Sequence, residues 1–597
     1  MQAKPEFPMD TEKKYLLLEE ESEGEALSVK ARQRKIKETL SSLGMEVAED
    51  SSPPVIAVMG SGGGLRAMVA FLGTLSKLAE VKLLDATTYV CGTSGSTWCL
   101  SSLYGKKWSD FEHLNDMEHQ LLYRLKSPWD WRKALYKLKE AFSDDNYSLT
   151  HFWAYVVVHR MINDINEGKL SSHKEGCENG DNPYPIYSAV EKKCLNKNDE
   201  GAWFQFTPHI CGFPAYRSFI QTEFLGSKFE AGNLKMTRPE EELCYLQGLW
   251  GSALASDNVG RDILQTLFQH VTLRKPKGLS LLAYSDKIDT GLSLLGNSDK
   301  IATASSCSCP SCVHVKRLLS QDLDGMPDEE HAKYWTNIDE ALEAVKIGHK
   351  SMDVTFPVGP GRGASRFSVT MQPEGSHILS AISEISEEVT VLQHLARSFR
   401  KWKWGTTHNF LYRLDHVDSL DGNSKMKSRI LDHIPTSLFS TEDLSLIDSG
   451  LEINTAFPLM LPPNRKVDLI LSFDFSEGDP FLTIKKTAEY CEKNKIPFPE
   501  INKEDLNQDI PSKNFYIFEG DGNETPDVMH FPLFNNETCQ GKVEQLRETY
   551  STSHLSYNES KLQELIEISK NNVEKSKDQI LERIKLCVQR CNQKTTA

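Results

Sequence analysis

Two short apolar segments in the first hundred residues each end in a glycine-rich turn that leads into a helical stretch. The first is VIAVM from Val55, followed by GSGGG at residues 60–64 and an apolar helical pattern over about 65–79. The second is TTYVC from Thr87, followed by GTSGS at residues 92–96. A strand, a helix and a second strand in this order form a βαβ unit, whose two strands run parallel. We therefore expect an α/β fold built on a mainly parallel central sheet.

The rest of the chain divides into segments that differ in composition. Residues 1–52 are charged, carry one helical pattern from about Ala26 to Leu43, and end at a Ser-Ser-Pro-Pro stretch, so we expect an N-terminal arm with a helix. Residues 53–597 are then expected to form one large domain. Within it we expect a variable insertion or cap over about 256–400, where the patterns are weak, and a charged amphipathic helix over about 560–590.

The balance of charge and the cysteine content disfavour several classes of protein. The chain has 68 Lys and Arg against 84 Asp and Glu, a net charge of −16, which disfavours a nucleic-acid binder that relies on phosphate neutralisation. Its 13 Cys are few and odd in number, and the first residues, MQAKPEFPMD, hold no apolar signal core, so we expect a cytoplasmic protein without disulfides. No run approaches the roughly 18 apolar residues of a membrane span, and the C-terminal CNQKTTA is not a prenylation box.

The strongest candidate for a nucleophile is Ser94. It lies in CGTSGST, between the TTYVC strand and a helical stretch, which is the context of a nucleophile elbow. A sharp strand-to-helix turn requires glycine neighbours, and it presents the serine hydroxyl at the N-terminus of the next helix, where the helix dipole favours negative charge. The alternative is an ordinary Gly/Ser turn.

The GSGGG turn at residues 60–64 can complement such a nucleophile. Its amide groups lie at the carboxyl end of a neighbouring strand, so they can form an oxyanion hole for a developing negative charge. A P-loop is excluded because no Lys follows the glycines. A nucleotide-dependent oxidoreductase is the weaker alternative, because Leu65 stands where the dinucleotide fingerprint has Gly, and Asp85, the acid at the expected spacing, precedes the second strand.

A serine nucleophile needs a base to take its proton, and two residues compete for that role. Asp448 ends the apolar strand LIDSG, and a carboxylate in a poorly solvated cleft has a raised pKa that suits proton transfer. His530, in VMHFPLFN, completes the order Ser, Asp, His of a triad. We favour Asp448, because a histidine flanked by Met529 and Phe531 is typical of a core residue.

Two arginines indicate what the site binds. Arg66 lies two residues after the glycine turn, and Arg465 lies in LPPNRKVDL, downstream of Asp448. A guanidinium carries a permanent charge and binds phosphate through its planar fork, which suits a phosphorylated substrate. The alternative is that both are ordinary surface charges.

Five motifs resemble the cytosolic (group IV) phospholipase A2 family. They are GSGGGLRAM, GTSGSTWCLSSLY, WGTTHNFLY, LIDSGLEINTAFPLMLPPNRKVDLILSFDFS and HFPLFN, and they span about Pro54 to Asn535. The resemblance implies a patatin-like α/β layered fold with a nucleophile elbow and a cap. The N-terminal arm is too short for the calcium-binding C2 domain of many members, so the chain resembles the gamma branch, which lacks that domain.

The resemblance also implies roles for the matched residues. Ser94 and Asp448 correspond to a catalytic dyad that works without histidine, and Gly62 and Gly63 correspond to the oxyanion hole. No cofactor and no metal ion is implied, and the chemistry of acyl transfer requires none.

Arg66 and Arg465 correspond to arginines that hold the phosphate head group in that family. The implied activity is a calcium-independent phospholipase A2, which forms an acyl-enzyme on membrane glycerophospholipids and releases lysophospholipid and free fatty acid. A lysophospholipase or acyl transferase of the same fold is the near alternative, and a non-catalytic lipid-binding protein is the alternative from another class. The expected partner is a phospholipid membrane, contacted peripherally; the sequence does not indicate an oligomeric state.

Two segments combine basic and aromatic residues in a manner that suits a membrane surface. Residues 121–142 hold six basic residues against two acids and include Trp129 and Trp131, and residues 397–404 read RSFRKWKW. Aromatic rings settle at the lipid head groups, and Lys or Arg side chains are attracted to anionic lipids. The alternative is that these aromatic residues belong to the core and the charges to its solvated face.

Overall fold

The chain is described by a computed structural model over residues 16–18, 22–104, 111–144, 146–196, 200–253, 261, 264–265, 267–269, 309–321, 323, 327–350, 376–401, 403–416, 433–502, 506–552 and 554–596. Its strands are β1 (Leu16–Leu18), β2 (Ile56–Gly60), β3 (Tyr89–Gly92), β4 (Tyr184–Glu191), β5 (Trp203–Phe206), β6 (Ile210–Phe213), β7 (Ser218–Gln221), β8 (Lys228–Glu230), β9 (Asn233–Met236), β10 (Thr406–His408), β11 (Asp443–Asp448), β12 (Leu469–Asp474), β13 (Tyr516–Phe518) and β14 (Asp527–Pro532).

The helices are α1 (Glu23–Ser42), α2 (Gly64–Glu80), α3 (Gly95–Leu103), α4 (Phe111–Lys126), α5 (Trp131–Ala141), α6 (Leu149–Phe152), α7 (His159–Ile162), α8 (Lys174–Glu178), α9 (Lys192–Asn196), α10 (Leu243–Trp250), α11 (Pro310–Leu318), α12 (Asp328–Lys350), α13 (Ser376–Lys401), α14 (Thr436–Phe439), α15 (Phe457–Met460), α16 (Leu482–Asn494), α17 (Asn536–Cys539), α18 (Val543–Thr549) and α19 (Glu559–Thr596). Short 3₁₀ turns include Leu84–Ala86 and Ser449–Leu451.

The centre of the main sheet consists of five parallel strands in the spatial order β14-β12-β2-β3-β4. All five are buried along their length, as expected for strands covered by helices on both faces. The predicted α/β fold with a parallel centre is therefore confirmed. The sheet also continues in antiparallel strands, with β13 beside β14 and the order β4-β5-β6-β7-β1 on the other side, which the sequence did not indicate.

Two strands run towards each other along β4. Strand β3 is parallel to β4 and ends with Gly92 opposite Tyr187, whereas β11 is antiparallel to β4 and ends with Asp448 opposite Ala189. Strand β5 pairs with the same stretch of β4, so β3 and β11 share the other edge of that strand. The carboxyl ends of β3 and β11 therefore meet opposite the middle of β4.

Helix α2, which connects β2 to β3, is buried on all sides. Every residue of its first thirteen is buried, and it packs against α3 and α19. The packing against α19 is close at Gly73, where a Cβ would lie 2.3 Å from Ser569 Oγ and 3.0 Å from Ile566 O. The C-terminal helix expected over about 560–590 is α19, and its length of 38 residues lets it cover this side of the sheet.

The N-terminal helix α1 is attached to the sheet region through a buried arginine. It begins after Ser22, whose hydroxyl accepts a hydrogen bond from Glu25 N. Arg32 is 1% exposed and donates hydrogen bonds to the carbonyl oxygens of Thr87, Leu84, Gly180 and Asp181 at 2.7–3.1 Å. Burial lowers the pKa of Arg32 to about 10, which the nearby Asp85 opposes. The N-terminal helix is therefore part of the folded core of this unit.

The described residues group into two compact units. The first comprises Met1–Ser127, Val158–Ala253 and Trp404–Ala597 and contains the main sheet. The second comprises Pro128–Val157 and Leu254–Lys403, a range that includes the expected insertion of about 256–400. Of that insertion, residues 256–260, 262–263, 266, 270–308, 322, 324–326 and 351–375 lie outside the described residues.

The second unit is helical in its described part. Helices α12 and α13 pack together, and the Trp335 and Phe399 rings stack with centroids 4.5 Å apart. Arg397 also pairs with Asp339 at 2.8 Å. None of the helices in the described ranges of either unit is long and apolar enough to cross a membrane.

Candidate active site

Ser94 lies on a strained turn between β3 and α3. Its φ is 50° and its ψ −123°, a conformation that costs energy for a residue with a Cβ and that functional sites tend to retain. A Cβ on the next residue, Gly95, would lie 1.9 Å from Gly64 O, so only glycine fits there. This arrangement matches the predicted nucleophile elbow, and α3 starts directly after Ser94.

The Asp448 carboxylate lies against this turn. It accepts hydrogen bonds from Gly450 N at 2.8 Å and from Ala253 N at 3.2 Å. Complete burial raises the pKa of Asp448 to about 6, although the nearby Ser94 hydroxyl and these two amides act to lower it. The structure thus brings together the two residues that the sequence proposed as nucleophile and base, 354 positions apart along the chain.

His530, the rival base, is a core residue of β14. Its Nε2 donates a hydrogen bond to Pro480 O at 2.7 Å, and its Nδ1 lies 3.4 Å from Ser472 Oγ. The side chain is completely buried, and burial lowers its pKa. Both ring nitrogens therefore face groups other than Ser94.

The glycine turn after β2 faces the nucleophile. A Cβ on Gly62 would lie 3.0 Å from Ser94 Cβ and 2.5 Å from Asn454 Oδ1. Gly62 donates its amide hydrogen to Asn454 O at 2.9 Å, so this amide already has an acceptor and differs from our expectation for an oxyanion hole. The next two residues, Gly63 and Gly64, have φ of 146° and 56°, and their amides donate no hydrogen bond within the described part of the chain.

Asn454 is a residue that the sequence analysis missed. Its side-chain amide donates to Gly62 O at 3.3 Å and to Ser476 Oγ at 2.7 Å, while its main-chain carbonyl accepts the Gly62 amide. It therefore holds the glycine turn from both sides. Its position six residues after Asp448 matches no motif that would have identified it.

Arg66 lies underneath the glycine turn. Its guanidinium donates to Phe475 O at 2.6 Å, Glu477 Oε2 at 3.0 Å and Thr552 Oγ1 at 3.0 Å, and also to Tyr550 O. It is 1% exposed, and its Nη2 lies 2.9 Å from where a Cβ of Gly63 would be. Arg66 therefore anchors the first turn of α2 to the segments that carry Glu477 and Thr552, and it places a positive charge beside Gly63.

Arg465 forms a buried ion pair with the N-terminal helix. Its Nε and Nη2 contact the two carboxylate oxygens of Glu25 at 2.8 and 3.0 Å, and Nη2 also donates to Gln205 Oε1 at 3.0 Å. The guanidinium stacks over the Tyr89 ring of β3, with its carbon 5.7 Å from the ring centre. The sequence identified Arg465 but not its partner Glu25, because 440 positions separate them.

The arrangement supplies three elements of acyl-transfer chemistry. A serine hydroxyl beside a buried carboxylate can be deprotonated as it attacks, and two adjacent glycine amides can face the oxyanion that results. Within the described residues, no group of three His, Cys, Asp or Glu side chains is placed to hold a metal ion.

The sequence is similar to proteins of known family. Residues 56–258 match the family model described as lysophospholipase catalytic domain. The cytosolic phospholipase A2 gamma of Mus musculus is 35% identical over 572 residues, covering 94% of this chain and 90% of that protein. The cytosolic phospholipase A2 gamma of Homo sapiens is 36% identical over 571 residues, covering 93% of each.

The fold is also similar to a solved structure, human GIVD cytosolic phospholipase A2. The TM-score is 0.61 at 21% sequence identity, and the match covers 96% of this chain and 68% of that chain. This likeness supports the patatin-like layered α/β fold predicted from the motifs.

The raised pKa of Asp448 predicts a pH-dependent effect of removing its charge. Between pH 4 and pH 6 the folded protein keeps a proton that the unfolded chain, with a pKa near 3.8, has released, so folding stability falls as pH rises through this window. Asp448→Asn lacks this loss. Relative to the variant, the wild type should lose about 2 kcal/mol of unfolding free energy between pH 4 and pH 7, measured by urea denaturation.

The matched control is Asp50→Asn, which removes a solvent-exposed carboxylate. The difference in unfolding free energy between Asp50→Asn and the wild type should change much less between pH 4 and pH 7. A difference for Asp448→Asn that is constant with pH would show that the carboxylate ionises as readily in the folded protein as in the unfolded chain.

Proposed function

Because this chain belongs to the cytosolic phospholipase A2 family, we propose that it hydrolyses the fatty acyl ester of membrane glycerophospholipids without calcium, giving lysophospholipid and free fatty acid. The family places it among the phospholipase A2 hydrolases. The observation that carries the proposal is the placement of Ser94, on a strained elbow, beside the buried Asp448 carboxylate, whose pKa its hydroxyl lowers.

In the proposed reaction, Ser94 Oγ attacks the acyl carbonyl while Asp448 takes the hydroxyl proton. The carbonyl oxygen becomes an anion next to the glycine turn, where the amides of Gly63 and Gly64 are the donors without an acceptor in the described protein. Asp448 then returns the proton to the leaving alkoxide of the lysophospholipid. Water, deprotonated by the same carboxylate, cleaves the acyl-enzyme and releases the fatty acid.

We assign the oxyanion hole to Gly63 and Gly64, with Gly62 as the residue that anchors the turn. The Gly62 amide would have to break its hydrogen bond to Asn454 O before it could donate to the oxyanion. Catalysis favours donors that need no such rearrangement. The φ of 146° at Gly63 and of 56° at Gly64 are conformations that glycine adopts without strain, so glycine at both positions suits this turn.

Arg66 and Arg465 are proposed to favour a substrate with a phosphate group. Each guanidinium has five N–H groups, of which four donate hydrogen bonds to the protein, counting the bond from Arg465 to Leu459 O. One N–H of each arginine is thus left for a phosphate oxygen. The contribution of Arg66 also includes its charge beside the glycine turn.

Peripheral contact with intracellular membranes, from a cytoplasmic location, is proposed for the basic face of α5. Tyr136 is 61% exposed there, Arg132 and Lys133 are exposed, and Trp131 is half-buried. Such a face suits anionic head groups. In the segment 397–404, by contrast, Phe399 and Trp404 are buried and belong to the core, while Trp402 lies outside the described residues.

Lysophospholipids are the second candidate substrate class. The matched family model is described as a lysophospholipase catalytic domain, and the same acyl-enzyme can pass its acyl group to water or to another lipid.

The dyad predicts which residues a fluorophosphonate probe needs. The wild type should be labelled covalently in the presence of a calcium chelator, and Ser94→Ala should not be labelled at all. Asp448→Asn should label and hydrolyse phospholipid about 10²- to 10⁴-fold more slowly, because the hydroxyl loses its base. The wild-type rate should fall as pH drops below about 6, where Asp448 becomes protonated.

His530→Ala is the comparison that separates a dyad from a triad. It should lower the melting temperature, because it empties a buried site, while the folded fraction keeps its labelling rate. A folded but unreactive His530→Ala protein, together with a reactive Asp448→Asn protein, would establish a histidine base instead.

The proposed phosphate role predicts a substrate-dependent loss for lysine substitutions. Arg66→Lys and Arg465→Lys keep the charge but lose the planar fork, so each should impair hydrolysis of phospholipid at least about tenfold more than hydrolysis of an uncharged soluble ester. Arg34→Lys, at an exposed position of α1, is the control and should affect neither substrate. If Arg465→Lys and Glu25→Gln both lowered the hydrolysis of the two substrates equally, the role of Arg465 would be structural, through its ion pair with Glu25 of α1.

A further inference from the structure

Three buried hydroxyl groups connect the turn that carries Ser94 to the turn that carries Asp448. Thr93 precedes Ser94, Ser449 follows Asp448, and Ser188 lies on β4 between them. Ser188 Oγ is 3.2 Å from Thr93 Oγ1 and 2.6 Å from Ser449 Oγ, and it donates to Gly92 O at 2.9 Å. All three side chains are completely buried.

The hydrogen-bonding capacity of Ser188 is filled by these neighbours. A serine hydroxyl has one proton and two lone pairs. Because the proton is donated to Gly92 O, the two lone pairs are available to the hydroxyl protons of Thr93 and Ser449. Ser188 is thus a three-way junction between β3, β4 and β11.

The position of Ser188 follows from the sheet. Tyr187 pairs with Gly92 at the end of β3, and Ala189 pairs with Asp448 at the end of β11, so Ser188 lies opposite the gap between the two strand ends. No main-chain ladder spans that gap, since β3 and β11 meet end to end. The hydroxyl junction bridges this gap beside the Ser94 and Asp448 side chains.

We propose that Ser188 is a positioning residue for the reaction, which keeps the Ser94 hydroxyl and the Asp448 carboxylate at hydrogen-bonding distance by tying Thr93 to Ser449. The inference rests on the dyad of the proposed function. Each tied residue is one position from a reacting side chain, so a shift of either turn moves that side chain directly. A displacement of about 1 Å in such a site can reduce the rate by about 10²-fold.

The test compares kcat and KM for an uncharged soluble ester. Ser188→Ala leaves both turns without their junction, so kcat should fall by about 10- to 100-fold while KM stays within about twofold. The rate of fluorophosphonate labelling should fall by the same factor. The matched control is Ser76→Ala, in which the hydroxyl removed is buried in α2 and has no hydrogen-bond partner among the described residues.

If the hydroxyl groups act together, the effects of removing Ser188 and Ser449 on kcat should not multiply in the double variant. Ser449→Ala should resemble Ser188→Ala, and the double variant should be no slower than Ser188→Ala alone, because the second hydroxyl has lost its partner already. If Ser188→Ala does not fold, Thr93→Val and Ser449→Ala, which each remove one hydrogen bond to Ser188, can be compared with their double variant in the same way.

Two results would overturn the proposal. One is a lowered melting temperature for folded Ser188→Ala with kcat unchanged, which would make Ser188 only structural. The other is losses for Ser188→Ala and Ser449→Ala that multiply in the double variant. Failure of the dyad itself is read separately, from Ser94→Ala and Asp448→Asn in the same assay, because retained hydrolysis by either would remove the premise without involving Ser188.

Discussion

The active site depends on the contact between two glycine turns at the carboxyl ends of neighbouring parallel strands. A Cβ on Gly95 would lie 1.9 Å from Gly64 O, and a Cβ on Gly62 would lie 3.0 Å from Ser94 Cβ. Since the first contact leaves no room for a side chain and the second is tight, the nucleophile turn and the amide-bearing turn pack directly on each other. In the described protein the amides of Gly63 and Gly64, which donate no hydrogen bond, thus lie on the turn that faces the serine before any substrate binds, as electrostatic stabilisation without rearrangement requires.

The position of Asp448, the proposed base, follows from the topology of the sheet. Because β11 runs antiparallel to β4 while β3 runs parallel to it, the two strand ends converge and bring Asp448 to Ser94. The carboxylate is completely buried, which raises its pKa to about 6, and the amides of Gly450 and Ala253 partly offset the cost of its charge. In the proposed reaction, this raised pKa makes the carboxylate a better acceptor for the Ser94 proton than a carboxylate in water.

The local features of the site could be predicted from the sequence, and its long-range supports could not. The elbow at Ser94 and the glycine turn follow from strand, turn and helix patterns within a few residues, and Asp448 from its place at a strand end. The antiparallel flank of the sheet has no comparable local pattern. The Arg465–Glu25 pair joins residues 440 positions apart. Asn454 binds Gly62 through its main-chain carbonyl, and because every residue has this group, the residue type gives no signal for the contact. These contacts exist only once the sheet has formed.

The most direct measurement of the central claim is a crystal structure of the protein covalently phosphonylated by a fluorophosphonate at Ser94. The phosphonyl oxygen stands in for the oxyanion, and it should lie about 2.7–3.1 Å from the amide nitrogens of Gly63 and Gly64. The Gly62 amide should remain bonded to Asn454 O at its present 2.9 Å. A phosphonyl oxygen bonded to Gly62 after displacement of Asn454, or an adduct on a residue other than Ser94, would contradict the account.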